Sequence, residues 1–164
     1  MPILNTDIQF RLSGGASNAD QNASLGGAKS SNSASSAIFD DVVSADSAAG
    51  DTEYRCIYVH NNHGSLTLQS AKIWIQANTP SGTTSIAIAL GGEGLNGTAE
   101  TVGNENTAPT GETFSEPANE GAGLSLGNIP FGQHYPVWVR RTVDAGTAAA
   151  ADSFTLRVKG DTAA

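Results

Sequence analysis

The feature that most constrains the fold is a strict alternation of apolar and polar residues near the end of the chain. In residues 153–160, Phe154, Leu156 and Val158 are separated by single polar residues. An extended chain places such alternate residues on opposite faces, whereas a helix would mix them around its surface. The segment therefore predicts a β-strand with one buried face.

Other apolar runs predict more strands of the same kind. They cover residues 54–60, 66–75, 85–90, 124–126 and 135–143, and segments rich in Gly, Asn, Thr and Pro separate them. In the second run the apolar positions change register around Gln69 and Ser70, which predicts a β-bulge. No window has a helical period. We predict an all-β protein, an antiparallel β-sandwich of immunoglobulin-like or jelly-roll-like type.

Residues 1–50 differ in composition from the rest of the chain. They consist mainly of Ser, Ala, Gly, Asn and Asp, which offer too little apolar surface to offset the entropy lost on ordering. We predict a long extended N-terminal arm over residues 1–50 and a sandwich domain over 51–164, with an acidic, glycine-rich loop at 91–123. Neighbouring chains would hold the arm in place. The predicted assembly contacts are its bulky apolar residues: Ile8, Phe10, Leu12, Leu25, Ile38, Phe39, Val42 and Val43.

The charge balance argues against two classes of partner. Sixteen acidic residues stand against eight basic ones, which gives a formal net charge of -8. Nucleic acids and anionic membranes attract basic surfaces, so neither is expected as a partner. The first residues lack the basic and apolar segments of a signal peptide, and no apolar run reaches membrane-spanning length. These features predict a soluble protein made in a cytoplasm.

Two sets of polar residues could hold an ion. His60 and His63 flank a predicted turn and could bind zinc with a third ligand. Asn18, Asp20 and Asn22 stand at alternate positions, as in calcium loops, but the glycine and distal glutamate of such loops are missing. We interpret both sets as polar loop residues, with ion binding as the alternative, and we expect no cofactor.

The sequence contains no recognisable set of catalytic residues. No serine lies in a Gly-x-Ser-x-Gly elbow, and Cys56 alternates with tyrosines as a buried strand residue would. The glutamates of the 91–123 loop are mostly five to seven residues apart, without the pattern of a calcium site or an evident pair for glycoside hydrolysis. Trp74 and Trp138 lie among apolar neighbours, which favours packing over sugar binding. We therefore predict a protein that is not an enzyme.

Two resemblances add to this interpretation. The segments IPFGQHYPVWVRRTVDAG and ADSFTLRVKGD resemble the last two strands of immunoglobulin-like modules. The opening ILNTDIQFRLSGGASNADQNASLGGAKSS, with DTEYRCIYVHNNHGSLTLQSAKIWI and VWVRRTVDAGTAAAADSFTLRVKGD, resembles small virion proteins of tailed bacteriophages, most of all capsid decoration (cement) proteins.

That resemblance implies a structural role on the outer surface of the capsid. The partners would be the major capsid protein and copies of the chain itself, as a trimer or dimer, and synthesis would occur in the bacterial host cytoplasm. Two other interpretations remain open. The chain could belong to the tail, neck or baseplate of the virion, or it could be a carbohydrate-binding sandwich that uses Trp74, Trp138 or the acidic loop.

Overall fold

The computed structural model describes residues 2–34, 37–148 and 152–162. Within them the chain is mostly strand, with one 3-10 turn at Gln21–Ala23 and one short helix, α1, at Ser44–Ala49. The predicted all-β class is confirmed. The strands are β1 (Ile8–Leu12), β2 (Asp51–Asn61), β3 (Leu68–Ala77), β4 (Thr84–Leu90), β5 (Leu124–Ile129), β6 (His134–Val143) and β7 (Thr155–Thr162).

The strands form two antiparallel sheets. The first has the order β1-β2-β6-β4 and the second the order β5-β3-β7. In the first sheet Ile57 of β2 lies opposite Leu12 of β1 and Val137 of β6. In the second, Ile73 of β3 lies opposite Leu124 of β5 and Val158 of β7.

The main core lies between the two sheets. Inward-facing side chains of β2, β6 and β4 meet those of β3 and β5, and the alternate apolar residues of β7 pack against them. The alternation that predicted β7 is present as expected, because Leu156 and Val158 are half-buried while Arg157 and Lys159 are exposed. The fully buried members include Ile57, Val59, Ile73, Ile86, Ile88, Ile129, Val137 and Val139.

A second apolar cluster lies on the opposite face of the first sheet. Cys56, Tyr58 and Trp138 point away from the main core, and Ala99 and Val102 of the long loop cover them. The Tyr58 hydroxyl donates to the Gly27 carbonyl at 2.5 Å and accepts from the Ala99 amide at 2.9 Å. Segments from the first fifty residues and from the acidic loop therefore form an outer layer over this sheet.

The predicted register change in the second strand is confirmed. The pairing of β3 with both of its neighbours shifts between Leu68 and Lys72. Ser70 has a φ of 50°, in the left-handed region that few residues other than glycine adopt. The bulge returns the apolar positions of β3 to the core side after the shift.

The short helix α1 was not predicted. The Asp46 carboxylate accepts a hydrogen bond from the Val43 amide, and Gly50 closes the last turn by donating its amide to the Asp46 carbonyl. Capping therefore supports a helix whose small side chains carry no apolar period. In the described part of the chain, no helix is long and apolar enough to cross a bilayer.

The long extended arm is not confirmed. β1 pairs with β2 of the same chain from Ile8↔Asn61 to Leu12↔Ile57, and the segment before β2 also packs on the sheets. Residues 13–34 are held largely by hydrogen bonds of their own polar groups, which composition does not indicate. The Asn18 amide, for example, donates to the Ser13 carbonyl at 2.6 Å and to the Asp20 carbonyl at 2.8 Å.

Candidate functional site

A buried ionic network closes one end of the main core. Glu53 and Arg55 of β2 lie beside Arg141 of β6, because Glu53 and Arg141 are directly opposite in the sheet. The Arg55 side chain is fully buried, and its Nη2 lies 2.5 Å from a Glu105 carboxylate oxygen. The Arg141 Nε donates to the Glu53 carboxylate at 2.6 Å. This network joins the first sheet to the acidic loop.

Phe39 and Asp40 complete the network. Both guanidinium groups lie over the Phe39 ring, Arg141 at 4.8 Å and Arg55 at 5.4 Å from its centroid. Asp40 accepts from Arg141 and lies 3.9 Å from Arg55. Burial raises the pKa of Glu53, and the charge of Arg141 partly opposes that rise.

The carboxylates of this network lie close enough together to hold a cation. Oxygens of Asp40, Glu53 and Glu105 all lie within 4.8 Å of one another. However, Arg55 and Arg141 stand among them and already supply the positive charge that a metal would bring. The arrangement is therefore that of a structural ion-pair network, which orders the segment around Phe39.

His60 meets His134 rather than His63. His60 and His134 are directly opposite across β2 and β6, and the His134 ring packs edge-on against Tyr58 at 4.9 Å. His63 lies in the turn, where its Nδ1 accepts from the Ser65 and Leu66 amides. Antiparallel register, which the sequence does not show, brings the pair together.

His60 is buried and His134 is half-buried. The Nδ1 atoms of both have no hydrogen-bond partner among the described residues. Burial lowers the pKa of His60 to about 4, with the nearby charge of Lys29 adding to the effect. Burial and Lys29 also lower the pKa of His134. Both rings therefore favour the neutral form, and the positive charge of Lys29 beside them is the feature that disfavours a bound cation here.

The side-chain oxygens of Asn18, Asp20 and Asn22 each accept a hydrogen bond from another group of the chain. The Asp20 carboxylate accepts from the Asn22 amide at 2.9 Å and so caps the 3-10 turn. The Asn22 side chain accepts from Arg55 at 3.3 Å. The donors predicted for a calcium-like loop are thus bonded within the chain.

The remaining candidate residues for catalysis or sugar binding are buried in the fold. Cys56 is fully buried, and burial raises the pKa of its thiol. Trp74 and Trp138 are buried as well, so they offer no exposed platform to a sugar ring.

The glutamates of the acidic loop fasten the loop to itself and to the sheets. The Glu93 carboxylate accepts from the Glu100 amide, Glu100 from Thr110, and Glu112 from the Gly92 amide at 2.8 Å. Glu105, Glu116 and Glu120 accept from Arg55, Asn78 and Lys159, respectively. These carboxylates therefore order the loop through hydrogen bonds and ion pairs.

The predicted assembly contacts are mostly packed within their own chain. Leu12, Ile38 and Phe39 are buried, while Ile8, Phe10 and Leu25 are half-buried against one of the two clusters. Val42 is half-buried and lines a surface pocket, and Val43 is 55% exposed. Contact of these residues with other subunits stays a prediction, and Val43 is the member whose side chain is free for it.

The edge strands of the two sheets differ in whether their outer backbone groups are hydrogen-bonded. The outer edge of β1 is bonded by the segment at 30–34, where the Ala34 amide donates to Phe10 at 2.9 Å. The outer edge of β4 is bonded by Ser115, which exchanges two backbone hydrogen bonds with Ile88. In the described residues, β7 has backbone bonds to β3 alone, so its other edge is open.

A groove of about 360 Å³, lined by both polar and apolar residues, runs beside the open edge of β7. Leu156 and Val158 form one wall, and Ile3, Ile8 and Phe10 form the other. An open strand edge next to such a groove can accept another extended segment, because main-chain hydrogen bonds and side-chain pockets are then both available. No motif in the sequence marks this surface, since it depends on which strand lies at the edge.

Comparison of the chain with protein-family models, with curated proteins and with solved structures finds no match.

Proposed function

We propose that this chain is a non-enzymatic structural protein of a bacteriophage virion, a capsid decoration (cement) protein that binds the assembled head and stabilises it. The observation that supports this most is the open edge of β7 beside a groove that Leu156, Val158 and Phe10 help to line. Proteins usually cover or interrupt such edges, because an exposed strand edge can pair with strands of many other chains. Here the fold covers β1 and β4, and β5 is short and contains Gly127 with a φ of 69°. β7 is then the strand left for a partner.

A decoration protein acts through mass action. It stabilises the shell because it binds the assembled lattice more tightly than the free subunits. In this proposal the major capsid protein is the partner, copies of the chain cluster as a trimer or dimer on the outer capsid surface, and Val43 adds an apolar contact. Because β1 and the residues around Phe39 pack on the sheets of the same chain, this proposal assigns the docking role to β7 and not to an extended arm.

The finer fold type belongs to the same proposal. Four strands in one sheet and three in the other favour an immunoglobulin-like sandwich over the eight-stranded jelly roll. β6 takes the place between β2 and β4 that the fifth strand holds in immunoglobulin domains, so the strand order is a variant of that type.

The test is to locate the protein in purified phage particles from the cells that carry its gene. Mass spectrometry should detect it in a fixed ratio to the major capsid protein, and gold-labelled antibody should decorate intact heads. Particles without it should lose their contents at a lower temperature, and added recombinant protein should restore them. Label on the tail, neck or baseplate would instead favour the alternative location, and absence from the particles would refute a virion role.

A further inference from the structure

We propose that the open edge of β7 selects an acidic, extended segment of its partner, which adds to the second sheet as a further strand. This inference rests on the proposed function and names the chemistry of the docking segment. We call the surface formed by β7, the adjoining groove and the outward side chains Lys72, Arg157 and Lys159 the β7 docking surface.

The charge of this surface differs from that of the whole chain. Three of the eight basic residues and one acidic residue, Asp161, project from the outer face of β3 and β7, although the formal net charge is -8. Lys72 and Lys159 are directly opposite each other, an arrangement that is unfavourable unless a negative charge compensates it. Glu120 contacts Lys159 at 2.9 Å, while the ion pairs found in the described residues do not include Lys72.

Arg157 extends the positive charge along the strand. It is exposed and makes one side-chain hydrogen bond of 3.4 Å, to the neutral Gln76. Lysines and arginines on an edge strand discourage pairing with neutral or basic strands, so the same residues that protect the edge also choose its partner. An acidic strand paired with β7 would place its carboxylates beside Arg157 and Lys159.

The groove determines which positions of the docking segment should be apolar. Because side chains alternate along a strand, every second residue of the added segment would point toward Leu156, Val158 and Phe10. Those residues should be apolar, and the acidic residues should occupy the positions between them, on the face that carries Lys72. The expected docking segment therefore alternates acidic and apolar residues.

A second copy of the chain fits the surface less well. Two copies joined edge to edge through β7 would bring two basic stripes together across the new strand pair. Like charges placed opposite each other between strands are destabilising. The proposal therefore assigns the edge to a partner of opposite charge.

The experiment measures binding of labelled model strands to the full-length protein by fluorescence anisotropy. One octapeptide alternates Glu and Val, and the other alternates Lys and Val. We expect the acidic peptide to bind about tenfold more tightly or better, with a difference that shrinks as salt rises. Amide hydrogen exchange should show new protection in β7 with the acidic peptide alone.

Matched variants separate local charge from net charge. The double variant Arg157→Gln, Lys159→Gln changes the formal net charge from -8 to -10, and so does Gly103→Glu, Ala108→Glu in the exposed part of the acidic loop. A side chain at Gly103 meets nothing within 4 Å. The β7 variant should weaken binding of the acidic peptide about tenfold, and the loop variant should change it less than about twofold. Lys72→Gln provides a second variant should the double variant fold poorly.

Three results would overturn the proposal. These are equal binding of the two peptides, equal loss of binding in the β7 and loop variants, and a dimer in light scattering that the β7 variant abolishes. The particle experiment answers a separate question. Peptide selection without the protein in virions would refute the virion role alone, and virion location with cross-links that avoid β7 would refute this inference alone.

Discussion

Phe10 and Val43 carry the same expectation from the sequence, contact with a neighbouring chain, but the structure gives them different surroundings. Phe10 lies in β1, opposite Val59, and is half-buried against the main core. Val43 caps the start of α1 and leaves 55% of its surface exposed. Hydrophobicity alone could not separate the two, because it gives no information about which surface a side chain meets.

This contrast predicts unequal effects of the same substitution. Phe10→Asp should lower the free energy of unfolding by about 2 kcal/mol or more, because it removes buried apolar area and places a charge against the core. Val43→Asp should change it by less than about 0.5 kcal/mol. Urea denaturation of both full-length variants measures the difference. Equal stability of Phe10→Asp and the wild type would show that Phe10 lies outside the core and would restore the arm hypothesis.

At the scale of elements, the outer layer is the feature that composition conceals. The segment at 13–34 has few apolar residues, but Gly26 and Gly27 bring its backbone against the acidic loop. The Gly27 amide donates to the Ala99 carbonyl at 2.9 Å, and the Val102 amide donates to Leu25 at the same distance. Close backbone approach and hydrogen bonding thus order a segment that apolar burial could not.

Gly26 is the critical point of this contact. Its φ is 93°, and a Cβ there would lie 1.6 Å from the Glu100 carbonyl oxygen. Gly26→Ala should therefore separate the two segments and cost about 2 kcal/mol or more, whereas Gly103→Ala should cost little because its Cβ has open space. Hydrogen exchange at Gly27 and Val102, with thermal denaturation, measures both effects. If the two variants retained equal protection, the outer layer would not depend on this contact.

At the scale of the whole molecule, the charged side chains fall into groups that occupy different parts of the fold. The described glutamates of the acidic loop accept hydrogen bonds from backbone amides or from polar and basic side chains, and the largest buried ionic network joins β2, β6 and that loop. Lys72 and Arg157, which form no ion pair among the described residues, lie on the outer face of the second sheet. His60 and His134 contribute differently, because burial and the nearby charge of Lys29 lower the pKa of both rings.

The histidine pair predicts a loss of stability in mild acid. The unfolded chain takes up protons near pH 6.5, while burial lowers the pKa of His60 to about 4 and also lowers that of His134. The stability that comes from the neutral rings is therefore complete above about pH 6.5 and is lost as the pH falls toward 4. Between pH 7 and 4.5, the wild type should lose about 2 kcal/mol more than the variant His60→Gln, His134→Gln.

Urea denaturation at several pH values measures this difference. The double variant is the necessary control, because the raised pKa values of Glu53 and Glu112 act in the opposite direction in both proteins. Folded-state proton uptake by those carboxylates favours the folded protein as the pH falls. Parallel pH profiles for the two proteins would refute the role assigned to the histidines.

The sequence by itself determined the all-β class, the position of six strands, the bulge at Ser70 and the burial of Cys56, Trp74 and Trp138. Those properties follow from alternation and side-chain chemistry, which are local. The tertiary structure alone decided the partner of β1, the meeting of His60 with His134, the outer layer and the open edge of β7. Each of these depends on which distant strands become neighbours, and the residues involved carry no local mark of that pairing. The order of the Ser- and Asn-rich segments could not be predicted from the sequence. It comes from hydrogen bonds between groups that only folding brings together.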